Sequence, residues 1–146
     1  MNVVADETAR LLETAARAAK AAAGALAREP RPAKDMALVE AAAALRRRCA
    51  EIIAANEADV AGAPGLSPAF RDRLMLNPAR VEAMAKGLEE VAALPAPVGR
   101  VLTEWTRPNG LVIRRVAQPL GVIGMIFESR PNVTADAAAL CLKSGN

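Results

Sequence analysis

The sequence predicts an α/β protein in which several helices precede a β-hairpin and a single βα unit. Three observations support this fold class. Alanine-rich segments with helical spacing occupy much of residues 1–99. Two short stretches rich in β-forming residues flank an Asn-Gly pair at residues 109–110. An almost entirely apolar run at residues 121–127, typical of a strand covered on both faces, precedes a further helical segment.

The first part of the chain predicts two long helices. Leucine and alanine recur at helical spacing over residues 6–28, which predicts the first helix. Glu29-Pro30-Arg31-Pro32 ends it, because proline lacks an N–H and disfavours helix in the residue before it. The second helix is predicted from about residue 34 to residue 56. Together the two helices predict a helical layer.

Two later helices are predicted from their start signals. Ser67-Pro68 and Asn77-Pro78 each place a capping side chain directly before a proline, which is favoured at the first helical position. The second pair opens a helix over residues 78–93, which Pro95 and Pro97 end. The helical part of the chain is therefore predicted to cover residues 1–99.

The residue pattern changes beyond Gly99. Residues 101–106 and 111–116 are rich in β-formers, and Arg107-Pro108-Asn109-Gly110 between them favours a tight turn. This predicts an antiparallel hairpin within residues 100–118. Residues 119–146 then predict the start of a parallel βα unit, with a strand at 121–127, a helix at 133–143 and Gly145 at the helix end.

The composition excludes several kinds of chemistry. The chain has no histidine, which removes Ser-His-Asp and Cys-His catalysis and any histidine-based metal site, and no metal site is predicted. The formal net charge is +3, and its one tight run, Arg46-Arg47-Arg48, is interpreted as a solvated helix face. No apolar run reaches the ~18 residues that a membrane span needs. We therefore expect neither nucleic acid nor a membrane as a partner.

The two cysteines indicate a reducing compartment. Cys49 and Cys141 lie far apart in a chain without a signal peptide, which favours a cytoplasmic protein with reduced thiols. Leucines flank Cys141 on both sides, so its thiol is expected to be buried and inert, and Cys49 is interpreted in the same way.

Three segments resemble one known family. They are PLGVIGMIFESRPNVTADAAALCLKSGN at residues 119–146, GLSPAFRDRLMLNPAR at residues 65–80, and Asn56-Glu57-Ala58-Asp59-Val60. The first of these is similar over its whole length to the signature of gamma-glutamyl phosphate reductases, members of the aldehyde dehydrogenase superfamily. The resemblance covers most of the chain and corresponds to the N-terminal part of these enzymes.

The resemblance implies a fold and an activity. The fold would be a truncated aldehyde-dehydrogenase-type Rossmann-like domain: residues 1–99 the helical part of its cofactor-binding domain, 100–118 the hairpin of the oligomerisation region, and 119–146 the first βα unit. The family reduces L-glutamyl 5-phosphate with NADPH to L-glutamate 5-semialdehyde and phosphate in proline biosynthesis. NADP as cofactor and a homo-oligomer of the complete enzyme are therefore expected.

The family's mechanism requires a cysteine thiolate that forms a thioester. That nucleophile lies in the downstream catalytic domain, and neither Cys49 nor Cys141 matches it, so the chain alone is expected to be inactive. The alternative is a non-catalytic, stand-alone binding or partner module. Gly121 and Gly124 are not a dinucleotide fingerprint, because G-x-G-x-x-G follows a strand rather than lying inside one.

The predicted site is the loop after the apolar run. Ligands of α/β sheets bind beyond the carboxyl ends of strands, where the next helix offers free N–H groups to an anion. In this loop Asn132 is the candidate oxyanion donor, as the superfamily resemblance also implies. Arg130 is a candidate for binding the acyl phosphate or the substrate carboxylate. The binding residues are predicted to be Glu128, Ser129, Arg130 and Pro131.

Structural roles for the same residues compete with these functions. Arg130 could form an ion pair with Glu128 or Asp136 that braces the loop. Asn132 could be an N-cap, and Thr134 is an alternative cap for the same helix. Lys143 is expected to interact with the C-terminus of its own helix rather than with the cofactor.

Overall fold

Six helices and one two-stranded sheet make up the described part of the chain. The computed structural model describes the backbone of residues 3–146 and the side chains of residues 7–146. The elements in order are α1 (Val3–Arg28), α2 (Arg31–Arg47), α3 (Cys49–Ala61), α4 (Pro68–Leu74), α5 (Pro78–Ala93), β1 (Val101–Thr106), β2 (Val112–Val116) and α6 (Pro131–Ser144).

The chain divides into two compact units. One contains α1, the hairpin formed by β1 and β2, and residues 144–146. The other contains residues 30–95 and 125–143, and therefore α2 to α5 and almost all of α6. The predicted division into residues 1–99, 100–118 and 119–146 cuts the chain into consecutive segments, whereas each compact unit combines segments that are far apart in sequence. The predicted division therefore stays a prediction.

The two helix starts predicted at Ser67-Pro68 and Asn77-Pro78 are confirmed. Ser67 accepts a hydrogen bond from the Phe70 N–H at 3.4 Å, and Asn77 accepts one from the Arg80 N–H at 2.8 Å. Each cap precedes a proline at the start of its helix, as the sequence predicts. Pro30 separates α1 from α2 in an extended conformation. Gly145, with φ of 76°, ends α6 as predicted.

The single helix predicted over residues 34–56 is wrong, because it is two helices that meet at Arg48. This residue leaves helical geometry, with φ of −98° and ψ of 14°. Its N–H still donates to the Ala44 carbonyl and its own carbonyl still accepts from Ile52, both at 3.0 Å. The break therefore leaves few hydrogen bonds unmade, and neither proline nor glycine marks it in the sequence. The second helix, α3, continues to Ala61.

The predicted hairpin is confirmed. β1 and β2 pair antiparallel, with Trp105 opposite Ile113, and Glu104 forms an ion pair of 2.5 Å with Arg114 directly across the strands. The turn closes with hydrogen bonds of 2.9 Å from the Gly110 N–H to the Arg107 carbonyl and from the Arg107 N–H to the Leu111 carbonyl. Gly110 has φ of 83°, a conformation that favours glycine.

The strand predicted over residues 121–127 is wrong for this structure. The segment has no strand hydrogen bonds, and its side chains from Val122 to Phe127 are exposed, Ile126 completely. A β-strand is defined by the backbone hydrogen bonds that it forms with an adjacent strand. Among the described residues, no strand lies beside this segment. The βα unit is thus represented by its helix, and the strand that would begin a Rossmann-like arrangement is not formed among the described residues. The Gly121 N–H donates to Asn146 Oδ1 at 2.9 Å.

The core of the second unit lies between α2, α5 and α6. α2 and α5 make the most extensive contact between helices. Four of the six core residues are alanine, and each contributes little apolar area, on the order of 1 kcal/mol for a methyl group. The core is therefore thin. Its members are Leu38, Ala42, Ala85, Leu88, Ala92 and Ala139.

Two of the three arginines in the run at residues 46–48 form ion pairs. Arg46 bridges α2 to α5 by donating to Glu82 at 2.9 Å and to Glu89. Hydrogen bonds and charge from both carboxylates raise the pKa of Arg46, and Arg46 in turn lowers the pKa of Glu89. Arg48 pairs with Glu51 at 2.6 Å. The run is an exposed helix face, but much of its charge is neutralised locally.

Lys143 is the buried polar residue that joins the three core helices. Its side chain lies on α6 and is 4 % exposed. The ammonium group donates to Asp35 Oδ1 on α2 and to the carbonyl of Ala92, in the last turn of α5, at 2.5 Å. The sequence predicts a contact of Lys143 with the C-terminus of its own helix, whereas the ammonium group contacts the last turn of α5. The hydrogen bond from Lys143 lowers the pKa of Asp35, partial burial opposes this effect, and a hydrogen bond from Arg31 adds to it.

Lys143→Met should lower the free energy of unfolding by about 3 kcal/mol, because Asp35 Oδ1 and the Ala92 carbonyl lose their donor, while Arg31 still donates to Asp35 Oδ2. This is the low end of the range for a buried pair, since Asp35 remains 25 % exposed. Urea unfolding measures the change. Lys86→Met, at an exposed lysine of α5, is the matched control and should change stability by less than about 0.5 kcal/mol. Equal effects of the two substitutions would contradict a structural role for Lys143.

The Asp35 pair should make stability depend on pH. The pKa of Asp35 is lower in the folded chain than the value of about 3.9 expected after unfolding. The pair therefore contributes fully above the unfolded pKa, and this contribution is lost as the pH falls through the folded pKa. The difference in unfolding free energy between wild type and Asp35→Asn should shrink between pH 7 and pH 3. A difference that is constant over this range would show that Asp35 does not titrate with folding.

Candidate functional site

A cleft in the second unit gathers two of the predicted site residues. It is formed by α4, the segment between α4 and α5, α5, and the start of α6, and its volume is about 450 Å³. Sites for small molecules commonly enclose about 300 to 1,000 Å³. The charged and amide side chains that line the cleft are Asp72, Arg73, Arg80, Arg130, Asn132 and Asp136.

The loop that leads into α6 carries backbone strain. Ser129 has φ of 50°, in the left-handed region that residues other than glycine seldom adopt. Such conformations persist where the surrounding structure enforces them, and they concentrate at functional sites. Ser129 directly precedes Arg130 and the first helical residue, Pro131, and so sets the direction in which the chain enters α6.

The predicted site residues separate into two groups. Arg130 and Asn132 line the cleft. Pro131 lines a neighbouring hollow of about 360 Å³ that it shares with Asn56. Glu128 is exposed and Ser129 is half-buried, and neither lines these two cavities.

Asn132 is not a helix cap. α6 begins at Pro131, two residues earlier than predicted, because proline is favoured at the first helical position. Asn132 is therefore the second residue of the helix and Thr134 the fourth, and the capping alternatives for both residues are wrong. The Asn132 amide instead donates to Asp136 Oδ2 at 3.1 Å, which fixes one of its two N–H bonds and leaves the other available.

Arg130 and Arg80 differ in how their charges are used. Arg80 donates to Asp72 Oδ1 at 2.8 Å, to the Met75 carbonyl at 2.6 Å and to the Asp72 carbonyl, so its guanidinium holds the end of α4. Arg130 is exposed and, within residues 7–146, forms no ion pair with Glu128 or Asp136. The proposed bracing role of Arg130 is therefore wrong, and its charge faces the cleft without a carboxylate partner there.

Asn56 holds one wall of the cleft. Its side chain, on α3, is buried, donates to the Leu74 carbonyl at 2.9 Å and accepts from the Leu76 N–H at 2.6 Å. These bonds satisfy the backbone where α4 ends and the chain turns towards α5. The role could not be read from the sequence, since the groups Asn56 binds lie about twenty positions away.

Several other features lie outside the cleft. Cys49 and Cys141 are both half-buried, and neither lines it. Within the described residues, no cluster of three or more histidine, cysteine or acidic side chains could hold a metal ion. None of the helices described is both long and apolar enough to span a bilayer.

Comparison with known proteins gives consistent results for sequence and structure. No family model matches the chain. It is 68 % identical over 130 residues to a gamma-glutamyl phosphate reductase of Paramagnetospirillum magneticum, an alignment that covers 88 % of the chain and 31 % of the relative. The corresponding enzyme of Gluconobacter oxydans is 62 % identical over 141 residues, covering 96 % of the chain and 33 % of the relative.

Solved structures show the same similarity. A gamma-glutamyl phosphate reductase from Thermotoga maritima superimposes with a TM-score of 0.88 at 43 % identity, covering 93 % of this chain and 33 % of that one. The Saccharomyces cerevisiae enzyme gives a TM-score of 0.85 at 35 % identity, covering 90 % and 34 %.

The chain thus shares its fold with about a third of each of these solved structures. It spans about a third of the length of the curated relatives it matches. By sequence and by fold, the chain corresponds to the N-terminal part of gamma-glutamyl phosphate reductase.

Asn56→Ala should lower the free energy of unfolding by about 1 to 3 kcal/mol, because it leaves the buried Leu76 N–H and the Leu74 carbonyl without partners. Thermal or urea unfolding measures the loss. Glu57→Ala, at the exposed neighbour on the same helix, is the control and should be nearly neutral. An Asn56 variant as stable as the Glu57 variant would remove Asn56 from the support of the cleft.

Proposed function

We propose that the chain is the N-terminal part of an NADP-dependent reductase that converts L-glutamyl 5-phosphate to L-glutamate 5-semialdehyde and phosphate. We further propose that the cleft containing Arg130 and Asn132 belongs to its active site. The observation that carries this proposal is that both side chains line one cavity of the size of a small-molecule site. Both belong to the segment of the sequence that resembles the family signature.

Asn132 is suited to stabilise an oxyanion. When a nucleophile attacks the acyl carbon, the carbonyl oxygen gains negative charge, and a fixed N–H donor lowers the energy of that state. Asp136 accepts one N–H of the Asn132 amide and so orients the group, while the second N–H remains to donate. Because the amide is held before reaction, its orientation costs little when charge develops.

Arg130 is suited to bind the anionic substrate. It directly precedes α6, whose helix dipole adds a partial positive charge at this end. A guanidinium binds a phosphate or a carboxylate through two parallel hydrogen bonds. The exposed Arg130 has no ion-pair partner among the described side chains, so its charge is available to a ligand.

The described residues carry no glycine-rich dinucleotide fingerprint. Gly121 and Gly124 lie in the exposed segment before α6, without the strand that a glycine-rich fingerprint follows. NADP is therefore proposed from the family resemblance alone, and part of its binding groups would belong to other parts of a full-length enzyme. The nucleophilic thiolate is assigned elsewhere for a similar reason, since neither Cys49 nor Cys141 lines the cleft.

A fusion protein tests this function. Residues 1–146 are joined to the remaining two thirds of the Paramagnetospirillum magneticum enzyme and assayed with glutamate 5-semialdehyde, phosphate and NADP. Reduction of NADP by the fusion protein, with none by the 146-residue chain alone, supports the proposal. A folded fusion protein without turnover favours the stand-alone binding module, and turnover by the unfused chain would show that a nucleophile has been misplaced.

Asn132→Ala in the fusion protein should lower kcat by on the order of 100-fold, because it removes one oxyanion donor. Its stability should change little, since the lost bond to Asp136 is exposed. Asn77→Ala is the matched control: it removes the cap of α5 and should cost about 1 kcal/mol of stability while leaving turnover intact. If Asn132→Ala loses stability but keeps its kcat, the residue has a structural role only.

A further inference from the structure

The cleft contains a second arginine whose charge is not paired with a carboxylate of the described residues. Arg73 lies in the last turn of α4 and lines the same cavity as Arg130. Its guanidinium carbon lies 5.6 Å from the centroid of the Phe70 ring, a cation–π distance that restrains the side chain. Within the described residues, Arg73 has no carboxylate partner.

The other charges of the cleft are already accounted for. Three arginines and two aspartates line it. Arg80 is bound to Asp72 and to two carbonyl groups, and Asp136 accepts from the Asn132 amide. Arg73 and Arg130 are the two lining guanidinium groups without a described carboxylate partner. Asp136 keeps its negative charge, because its partner is a neutral amide. Three arginines and two aspartates leave a net formal charge of +1, which favours an oxyanion.

A structural role does not explain Arg73. No residue of α4 is buried, and both Arg73 and the Phe70 beneath it are exposed. The contact between them contributes little to a core. Arg71 lies in the same last turn and is equally basic, yet it does not line the cleft. The helix dipole at the end of α4 acts on both residues, whereas only Arg73 reaches the cavity.

We infer that Arg73 is a substrate-binding residue, which together with Arg130 binds one oxyanionic group of the substrate in this cleft. The inference rests on the function proposed above. The substrate class is an amino-acid acyl phosphate, which carries a phosphate at one end and a carboxylate at the other. Both groups accept two parallel hydrogen bonds from a guanidinium, and the test distinguishes them.

The test measures KM in the fusion protein, with glutamate 5-semialdehyde and phosphate varied separately. Arg73→Ala should raise one of the two KM values by about 10- to 100-fold, as expected for losing a hydrogen-bonded charge pair. A rise in the KM for phosphate assigns Arg73 to the phosphate group, and a rise in the KM for the semialdehyde assigns it to the carboxylate. The kcat should stay within about threefold, because the contact is made before and during reaction alike.

Two further variants sharpen the result. Arg73→Lys keeps the charge but loses the planar fork, so it should restore part of the affinity. Arg71→Ala removes an equivalent charge from the same turn and should leave both KM values unchanged. An active fusion protein in which Arg73→Ala also leaves both values unchanged overturns this inference, while the proposed function stands.

If the fusion protein is inactive, the proposed function fails and the inference is tested on the 146-residue chain. Inorganic phosphate and L-glutamate are each titrated against it, and the Nε–H signals of the arginines are followed by NMR. The Arg73 signal should shift when at least one of the anions is added. The shift of the Arg130 signal with that anion should be smaller in Arg73→Ala than in the wild type. The inference is overturned if the Arg73 signal shifts with neither anion. It is also overturned if the Arg130 signal shifts as much in Arg73→Ala as in the wild type.

Discussion

The buried ammonium group of Lys143 is the interaction on which the arrangement of the second unit depends. It joins α6 to Asp35 on α2 and to the carbonyl of Ala92 at the end of α5. The surrounding core is mostly alanine and supplies little apolar area to hold α6. A directional polar contact near the end of that helix therefore restricts its position. Asn132 lies at the opposite end of α6 and Arg130 in the loop directly before it, so the geometry of the cleft follows from where Lys143 is held.

Local signals allowed most elements to be predicted, and tertiary contacts decided the failures. Proline after Ser67 and Asn77 marked two helix starts, and the Asn109-Gly110 pair marked the hairpin turn, because these residues act through their immediate neighbours. The break at Arg48 keeps its backbone hydrogen bonds and so has no sequence signal. The apolar segment at 121–127 has strand composition but no neighbouring strand to pair with among the described residues.

The candidate site was predictable only in part, for a related reason. Arg130 and Asn132 were predicted from their position beside a helix start and from the family signature. The residues that complete or support the cleft come from distant elements: Arg73 from α4, Asn56 from α3, and Asp136 one turn further along α6. Arg73 is chemically indistinguishable from Arg71 in the sequence. What separates them is the direction in which each side chain leaves a two-turn helix.

The role of Lys143 is tested most directly by a double-mutant cycle with Asp35. Unfolding free energies are measured for wild type, Lys143→Met, Asp35→Ala and the double variant. The coupling energy is the effect of the double substitution minus the sum of the effects of the two single substitutions. Residues that share a buried contact show coupling of about 0.5 to 3 kcal/mol. We predict a coupling energy above about 1 kcal/mol for this pair, since each substitution alone leaves a partner unsatisfied. Additive effects, with coupling near zero, would contradict the claim that this contact holds α6 in place.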